Sequence, residues 1–374
     1  MSSVRPTQAV VDPARIAQNV RALRALTPAG TLQMAVVKAD AYGHGAVPVS
    51  RAALAAGAGW LGVALVEEGR ELRRAGVAAP ILVLGPVPPE GADDALAYDL
   101  QVAVFRRELA LALEARAAAA GRVAEIHLKV DTGMGRVGVP PAEALAFARW
   151  LAGRPHLRLA GTFSHLATAD EADLTFARSQ LRVFREVLSA LEGGGVDPGV
   201  RHVANTAATL ALPDSHLDLV RTGIGIYGLY PSAEVSRTAP LEPAMSWVTE
   251  IAYLKEVPAG TPLSYGSTFV TDRPSRIATL PVGYGDGYPR RLSNRGRVLV
   301  RGVACPVVGR VCMDMTLADV SAVPGARPGD PVVLMGSQGT ESVSADEIAR
   351  LTGTISYEVT CNVGRRVPRV YRPF

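Results

Sequence analysis

From residue 31 to residue 228 the chain repeats one rhythm: a short apolar run, a loop, then a segment rich in Ala, Leu, Arg and Glu with helical spacing. The apolar runs are TLQMAVVKA (31–39), GWLGVAL (59–65), PILVLG (80–85), LQVAVF (100–105), AEIHLKV (124–130), LRLAGTF (157–163), VRHVANT (200–206) and LDLVRTGIGIYG (217–228). Helical stretches such as VPVSRAALAAG, EEGRELRRAG, RRELALALEARAAAAG and ADLTFARSQLRVFREVLSALEGGG separate them, and DPARIAQNVRALRAL precedes the first. Eight strand–helix units over roughly 200 residues predict an α/β fold, a (β/α)8 TIM-type barrel, whose reactive residues stand at the C-terminal ends of the strands. A doubly wound sheet would show a GxGxxG turn after its first strand. The turn here is ADAYGHG, which does not fit.

Near residue 232 the texture changes. PSAEVSRTAPLEP is a Pro/Ser-rich connector, and beyond it the helical period nearly vanishes. AMSWVTEIAYLKEV, SRIATLPVGYG, RVLVRGVACPVVGRV, MTLADV and DPVVLMG read as strands, with one short helix at 344–351. The expected organisation is a barrel domain over 1–232 and a mainly β domain over 233–374.

Charge and cysteine content narrow the class. A net charge of +4 is spread along the chain without basic–aromatic interleaving, which argues against nucleic acid as a partner. Cys305, Cys312 and Cys361 form no CxxC pair, so they read as reduced thiols, with no metal site indicated. No apolar window is long enough to span a membrane, and the N-terminus lacks an export pattern, so the expected location is the cytoplasm. Of 39 basic residues only Lys38, Lys129 and Lys255 are lysines, leaving 36 arginines. In a chain that writes its cations as arginine, a lysine more often marks an amine that must lose its proton.

The strand ends collect one set of polar residues. Lys38 and Tyr42 follow the first strand, Arg136 the fifth and His165 the sixth. Asn205 and Thr206 end the seventh, and Arg221, Gly223 and Ile224 lie on and after the eighth. Such convergence suits an anionic cofactor and a carboxylate substrate. At a buried strand end Lys38 would either pair with a carboxylate such as Asp40 or be desolvated toward covalent chemistry with a carbonyl cofactor. NTAATL and RTGIGIYG occupy the loops that commonly hold phosphate in barrels. With Lys38 they point to pyridoxal 5'-phosphate.

AVVKADAYGHG resembles the pyridoxal-phosphate attachment signature of the alanine racemases. DTGMGRVG, SHLATAD, RTGIGIYG, LSYGSTF, VGYGDGYPR, GRVCMDM and YEVTCNVGRRVPRVY resemble further segments of that family, in family order. The resemblance implies a barrel plus β domain and a head-to-tail homodimer with shared active sites. It implies a racemase (an isomerase) that interconverts L-alanine and D-alanine, supplying D-alanine for peptidoglycan. A racemase of the same fold acting on serine, lysine or arginine is the alternative.

Position by position, the resemblance makes Lys38 the cofactor attachment point and one acid–base. Tyr265 is the second acid–base, contributed across the dimer interface. Tyr42, Thr206, Gly223, Ile224 and Tyr357 match phosphate-binding positions; Asn205 precedes a threonine where the family usually has serine, and the hydroxyl is retained. Arg221 matches the residue at the pyridine nitrogen, and His165 the one near the ring that links to the tyrosine. Arg136 and the Met313 backbone match the carboxylate site. Lys129 matches a lysine that many family members carry as a carbamate orienting that arginine; an ordinary pair with Asp131 or Glu125 is the other reading. Cys312 beside Met313 suggests a snug, small substrate pocket; Asp314 and Tyr284 would shape its entrance or hold the carboxylate loop, with domain packing as the other reading of either.

Racemisation must remove a proton from one face of the α-carbon and return one to the other, so two opposed acid–bases are required. Lysine and tyrosine would supply them. The lone histidines His127, His156 and His216 read as structural.

Overall fold

The computed structural model describes residues 5–372. It divides into two units, the first holding the chain up to Pro13, Tyr42–His44 and everything from Pro243 on, the second Ala14–Ala41 and Gly45–Glu242. The sequence reading placed the whole of 1–232 in the barrel. Instead the strand β1 (Gln8–Val11) pairs antiparallel with Met245–Glu250 and parallel with Arg369–Tyr371, so residues 8–11 are part of the C-terminal sheet.

Each of the eight predicted runs forms a parallel strand: β2 (Leu32–Val36), β3 (Trp60–Val63), β4 (Ile81–Val83), β5 (Gln101–Val104), β6 (Ala124–Lys129), β7 (Leu157–Phe163), β8 (Val200–His202) and β9 (Leu219–Thr222). Their order is β8-β7-β6-β5-β4-β3-β2-β9. Asp218 N–H donates to Arg201 O at 3.1 Å and Arg221 N–H to Ala204 O at 3.0 Å, which joins the two ends into a barrel. The near-continuous apolar runs follow from this closure, because both faces of each strand are covered. Met34, Leu82 and Leu219 pack together in the barrel with Trp60 and Val200 against them.

Three strands stop three or more residues short of their apolar runs. The first ends at Val36 because residues 39–42 turn left-handed. The seventh ends at His202 because Asn205 caps the helix Thr206–Ala211, its side chain accepting from Ala208 N–H at 2.9 Å. The eighth ends at Thr222, where Gly223 leads into a 3-10 turn at Ile224–Tyr227.

The other unit is mainly β. A seven-stranded sheet contains β1, β10 (Met245–Glu250), and four strands at Arg297–Val300, Val303–Pro306, Pro331–Gln338 and Arg369–Tyr371, with Glu341–Val343 on its side. A three-stranded sheet joins Tyr253–Val257, Ser275–Leu280 and Thr316–Asp319. Val257, Leu263, Ile277 and Val308 form a small core there. The predicted helix is present at Ala345–Thr352, started by Ser344, whose hydroxyl accepts from Glu347 N–H at 3.0 Å. A second helix, Ser356–Cys361, was not anticipated. Among the described residues no helix is long and apolar enough to cross a membrane.

Candidate active site

The barrel unit gathers most of the predicted residues at the C-terminal ends of its strands. Lys38 stands two residues beyond β2 and opens an unusual segment. Ala39, Asp40, Ala41 and Tyr42 all have φ of 52–53°, one turn of left-handed helix made of non-glycine residues. Each such residue costs on the order of 1–2 kcal/mol, so neighbouring groups must hold the turn. Ala41 N–H donates to Val37 O at 2.9 Å, and Asp40 accepts from Ala46 N–H at 2.8 Å. Glu68 contributes most, its carboxylate accepting from Ala39 N–H at 2.6 Å, Ala64 N–H at 2.7 Å and Leu65 N–H at 3.1 Å. The turn ADAYGHG therefore opens on a braced, strained segment, and Asp40 is engaged with the backbone.

Arg221 lies on β9 and is 3 % exposed. Its Nη2 donates to Ser164 O at 2.8 Å and Val203 O at 3.1 Å, and to His165 Nδ1 at 3.2 Å. Burial lowers its pKa to about 9, so it stays charged at neutral pH. Because a guanidinium only donates, His165 must accept at Nδ1 and carry its proton on Nε2. Burial, then the charges of Arg221, Lys129, Arg136 and Lys38, hold His165 well below the usual imidazole range. Every charge acting on it is positive.

Lys129, at the end of β6, is 4 % exposed, with Nζ 4.5 Å from the centre of the Phe163 ring. Burial lowers its pKa well below that of a free amine; Arg221 and Arg136 add to this, and Asp131 opposes it. The amine is thereby pushed toward its neutral form. Arg136 sits on the loop after β6, where Asp131 accepts from Gly133 N–H at 3.0 Å and Gly135 N–H at 3.1 Å.

Thr206 ties two loops together. Its hydroxyl accepts from Gly223 N–H at 2.8 Å, leaving its proton available to donate. Asn205 is occupied in capping, while Gly223 and Ile224 form the facing turn.

The β unit holds the remaining predicted residues. Tyr42 and Tyr357 rings lie 6.0 Å apart. Burial, then Cys361, raises the Tyr42 pKa, so its phenol keeps a proton to donate. Gly43 beside it has φ +82°, and a Cβ there would lie 2.2 Å from Thr360 O.

Tyr265 is 72 % exposed, between Ser264 (φ 62°) and Gly266 (φ 70°). Ser264 Oγ donates to Arg310 O at 2.7 Å and lies 3.6 Å from Cys312 Sγ. Met313, 52 % exposed, follows Cys312, and Gly285 N–H donates to its carbonyl at 2.9 Å. Tyr284 N–H likewise donates to Cys312 O at 3.0 Å. Asp314 accepts from Arg366 at 2.6 Å, and Arg366 also faces the buried Asp286. The three loops bearing Tyr265, Tyr284 and Met313 are thus stitched into one cluster.

Residues 11–231 match the alanine racemase N-terminal domain family, and residues 244–371 match the C-terminal domain family. An alanine racemase of Symbiobacterium thermophilum is 51 % identical over 371 residues, covering 99 % of this chain and 98 % of its own. This chain belongs to the alanine racemase family. Among solved structures, the alanine racemase of D-cycloserine-producing Streptomyces lavendulae superposes with a TM-score of 0.95 at 42 % identity, over 100 % of this chain and 98 % of that one. The Bacillus anthracis alanine racemase, solved with bound L-Ala-P, gives a TM-score of 0.94 at 40 % identity, over 100 % and 96 %.

In this alanine racemase family member two features escaped the sequence reading. Glu68 looked like an ordinary first-turn acid of EEGRELRRAG, and only its carboxylate geometry shows that it braces the turn after Lys38. His127 read as structural and His202 was not singled out; both are fully buried, and His202 Nδ1 accepts from Arg221 Nη1 at 2.9 Å. A polar side chain at an inward position of a barrel strand was the available signal.

Proposed function

We propose that this chain interconverts L-alanine and D-alanine with pyridoxal 5'-phosphate as its cofactor. The observation that carries the reading is the cationic mouth: Arg221, Arg136 and Lys38 all act on His165, in a family whose named relatives are alanine racemases. The donor set fits a phosphorylated, electron-withdrawing cofactor. Thr206 retains a hydroxyl proton, Tyr42 stays a neutral phenol, and the barrel mouth is rich in positive charge. Bound there, pyridoxal phosphate would supply a carbonyl for covalent attachment and a ring that disperses charge from the substrate α-carbon.

Lys38 would hold the cofactor and move a proton at one face of that carbon; Tyr265 would act at the other. Thr206, Gly223, Ile224, Tyr42 and Tyr357 are proposed to hold the phosphate, with Asn205 fixing the Thr206 helix start. Arg221, a pure donor that stays charged, would face the pyridine nitrogen and oppose its protonation. His165 would link Arg221 toward the tyrosine. Arg136 and the Met313 backbone would hold the substrate carboxylate, with Lys129 orienting Arg136 as a carbamate, the anionic form a neutral amine reaches with carbon dioxide.

The exposed cluster of Tyr265, Tyr284, Met313 and Met315 supports a homodimer in which a second copy covers it and each site takes Tyr265 from the other chain. A cytoplasmic enzyme supplying D-alanine for peptidoglycan accords with this activity. The test is to incubate the purified protein with single enantiomers of alanine, serine and lysine and follow chirality by circular dichroism. Alanine should interconvert fastest. Faster turnover of serine or lysine would assign a different racemase, and no interconversion by protein carrying bound pyridoxal phosphate would overturn the reading.

A further inference from the structure

Behind Arg221 a line of polar side chains runs through the barrel interior. Arg221 Nη1 meets His202 Nδ1 at 2.9 Å, and His202 Nε2 meets His127 Nδ1 at 2.9 Å. His127 Nε2 meets Gln101 Oε1 at 2.7 Å, and Gln101 Nε2 donates to Glu125 Oε2 at 2.5 Å. The second Glu125 oxygen pairs with Arg158 near the surface. Gln101 and Glu125 begin β5 and β6, whereas the proposed cofactor residues stand where the strands end. The line therefore spans the barrel from one mouth toward the other.

Its chemistry gives it a direction. A guanidinium can only donate and an ionised carboxylate can only accept. Arg221 therefore makes His202 Nδ1 an acceptor and puts that ring's proton on Nε2. His127 must then accept at Nδ1 and donate from Nε2 to the Gln101 carbonyl, which leaves the Gln101 amide to face Glu125. Both ends demand the same arrangement, and every interior proton points toward Glu125. Both histidines must be neutral for this. Burial, reinforced by Arg221, lowers His127 to about 3, and burial with Arg221, His127 and Lys129 keeps His202 well below its usual range.

The surroundings are shaped for these rings. A Cβ on Gly161 would lie 2.5 Å from His127 Nδ1, so glycine leaves the ring its place. His202 stacks on Phe163 with 4.7 Å between centroids and 3° between planes. Neither histidine has a proton-transfer role in the proposed chemistry, yet each is built in at 0 % exposure with its ring nitrogens engaged.

We propose that Gln101, His127 and His202 form a one-way hydrogen-bond line through which Glu125, at the far end of the barrel, acts as a positioning residue for Arg221. The carboxylate polarises each successive bond and so strengthens the acceptor at His202 Nδ1. That acceptor, with the Ser164 and Val203 carbonyls, sets the plane in which the guanidinium presents its remaining donors. The role of Arg221 at the cofactor rests on the racemase reading; the line and its direction do not.

The test uses full-length protein labelled with ¹⁵N-histidine, together with Glu125→Gln and Gln101→Leu. In the wild type, both histidines should show a protonated Nε2 and a bare Nδ1 that do not titrate between pH 6 and 8. Glu125→Gln keeps an acceptor but removes the charge; at a half-exposed position it leaves the fold intact. It should shift the His202 nitrogen resonances and lower kcat for alanine about threefold, with KM changed less than about twofold. Gln101→Leu cuts the line, with roughly tenfold loss in kcat and again little change in KM. An Nδ1-protonated tautomer at either histidine would overturn the proposal, as would Glu125→Gln leaving both the His202 resonances and kcat unchanged. Protein that shows the tautomer pattern but interconverts no alanine would remove the racemase reading and leave the line standing.

Discussion

Replacing Lys129 by methionine removes an amine that the barrel holds out of water without a full counter-charge. The side chain is 4 % exposed, and Arg221 and Arg136 depress its pKa further while Asp131 compensates only in part. An amine whose native pKa lies below its unfolded value binds fewer protons folded than unfolded throughout the window between the two. Stability contributed by that group is therefore lowest at acid pH and rises with pH, by up to about 1.4 kcal/mol per pH unit for one proton. Lys129→Met should flatten the stability curve by up to that slope between the depressed pKa and about 10.5. It should also be the more stable protein at the acid end of the window, since methionine fills similar space without desolvating a charge. Urea unfolding of both proteins in carbon-dioxide-free buffers across pH 6.5–9 measures the difference. Adding bicarbonate should then stabilise the wild type alone, because the proposed carbamate needs the neutral amine that the folded protein provides at Lys129. Parallel curves with no bicarbonate effect would show a charged Lys129 paired with Asp131 and refute the reasoning. A slope difference without a bicarbonate effect would keep the neutral amine and remove the carbamate.

Other predictions concern the strained segment and its neighbours. Ala39→Gly relieves one left-handed residue whose methyl is exposed, and should raise stability by roughly 0.5–1 kcal/mol in urea unfolding; a loss would show that the strain is misassigned. Gly43→Ala should lower stability by about 3 kcal/mol or more, since φ is +82° and the added Cβ would lie 2.2 Å from Thr360 O. Unchanged stability there would mean that Thr360 can move away. Glu68→Gln leaves one oxygen for three backbone N–H donors and should cost about 1–3 kcal/mol, together with slower capture of added pyridoxal phosphate by absorbance. Capture at the wild-type rate would separate Glu68 from Lys38.

The barrel was legible because eight apolar runs alternate with helical segments, a pattern set by burial on both strand faces. Strand ends were less so. The run through Lys38 continues in apolar residues past Val36, and nothing in its composition says that four non-glycine residues turn left-handed there. β1 was missed as part of the C-terminal sheet because its partners lie more than two hundred residues away in sequence. Arg221 and His165 could be placed together from their strand ends, and the structure joins them. Glu68 could not, since a helix-starting glutamate looks the same whether it faces solvent or collects three amides. Gln101, His127 and His202 each carried the weak signal of a polar residue in an apolar run, but only the barrel's closure puts them in one line.

The central claim is that Lys38 and Tyr265 act on one substrate from two chains. Equal amounts of inactive Lys38→Ala and inactive Tyr265→Phe proteins, unfolded together and refolded, form mixed dimers in about half the population. Each mixed dimer has one site with both wild-type groups. Alanine racemisation should return to about a quarter of the wild-type rate. No return of activity, with mixed dimers demonstrated by mass, would contradict the claim.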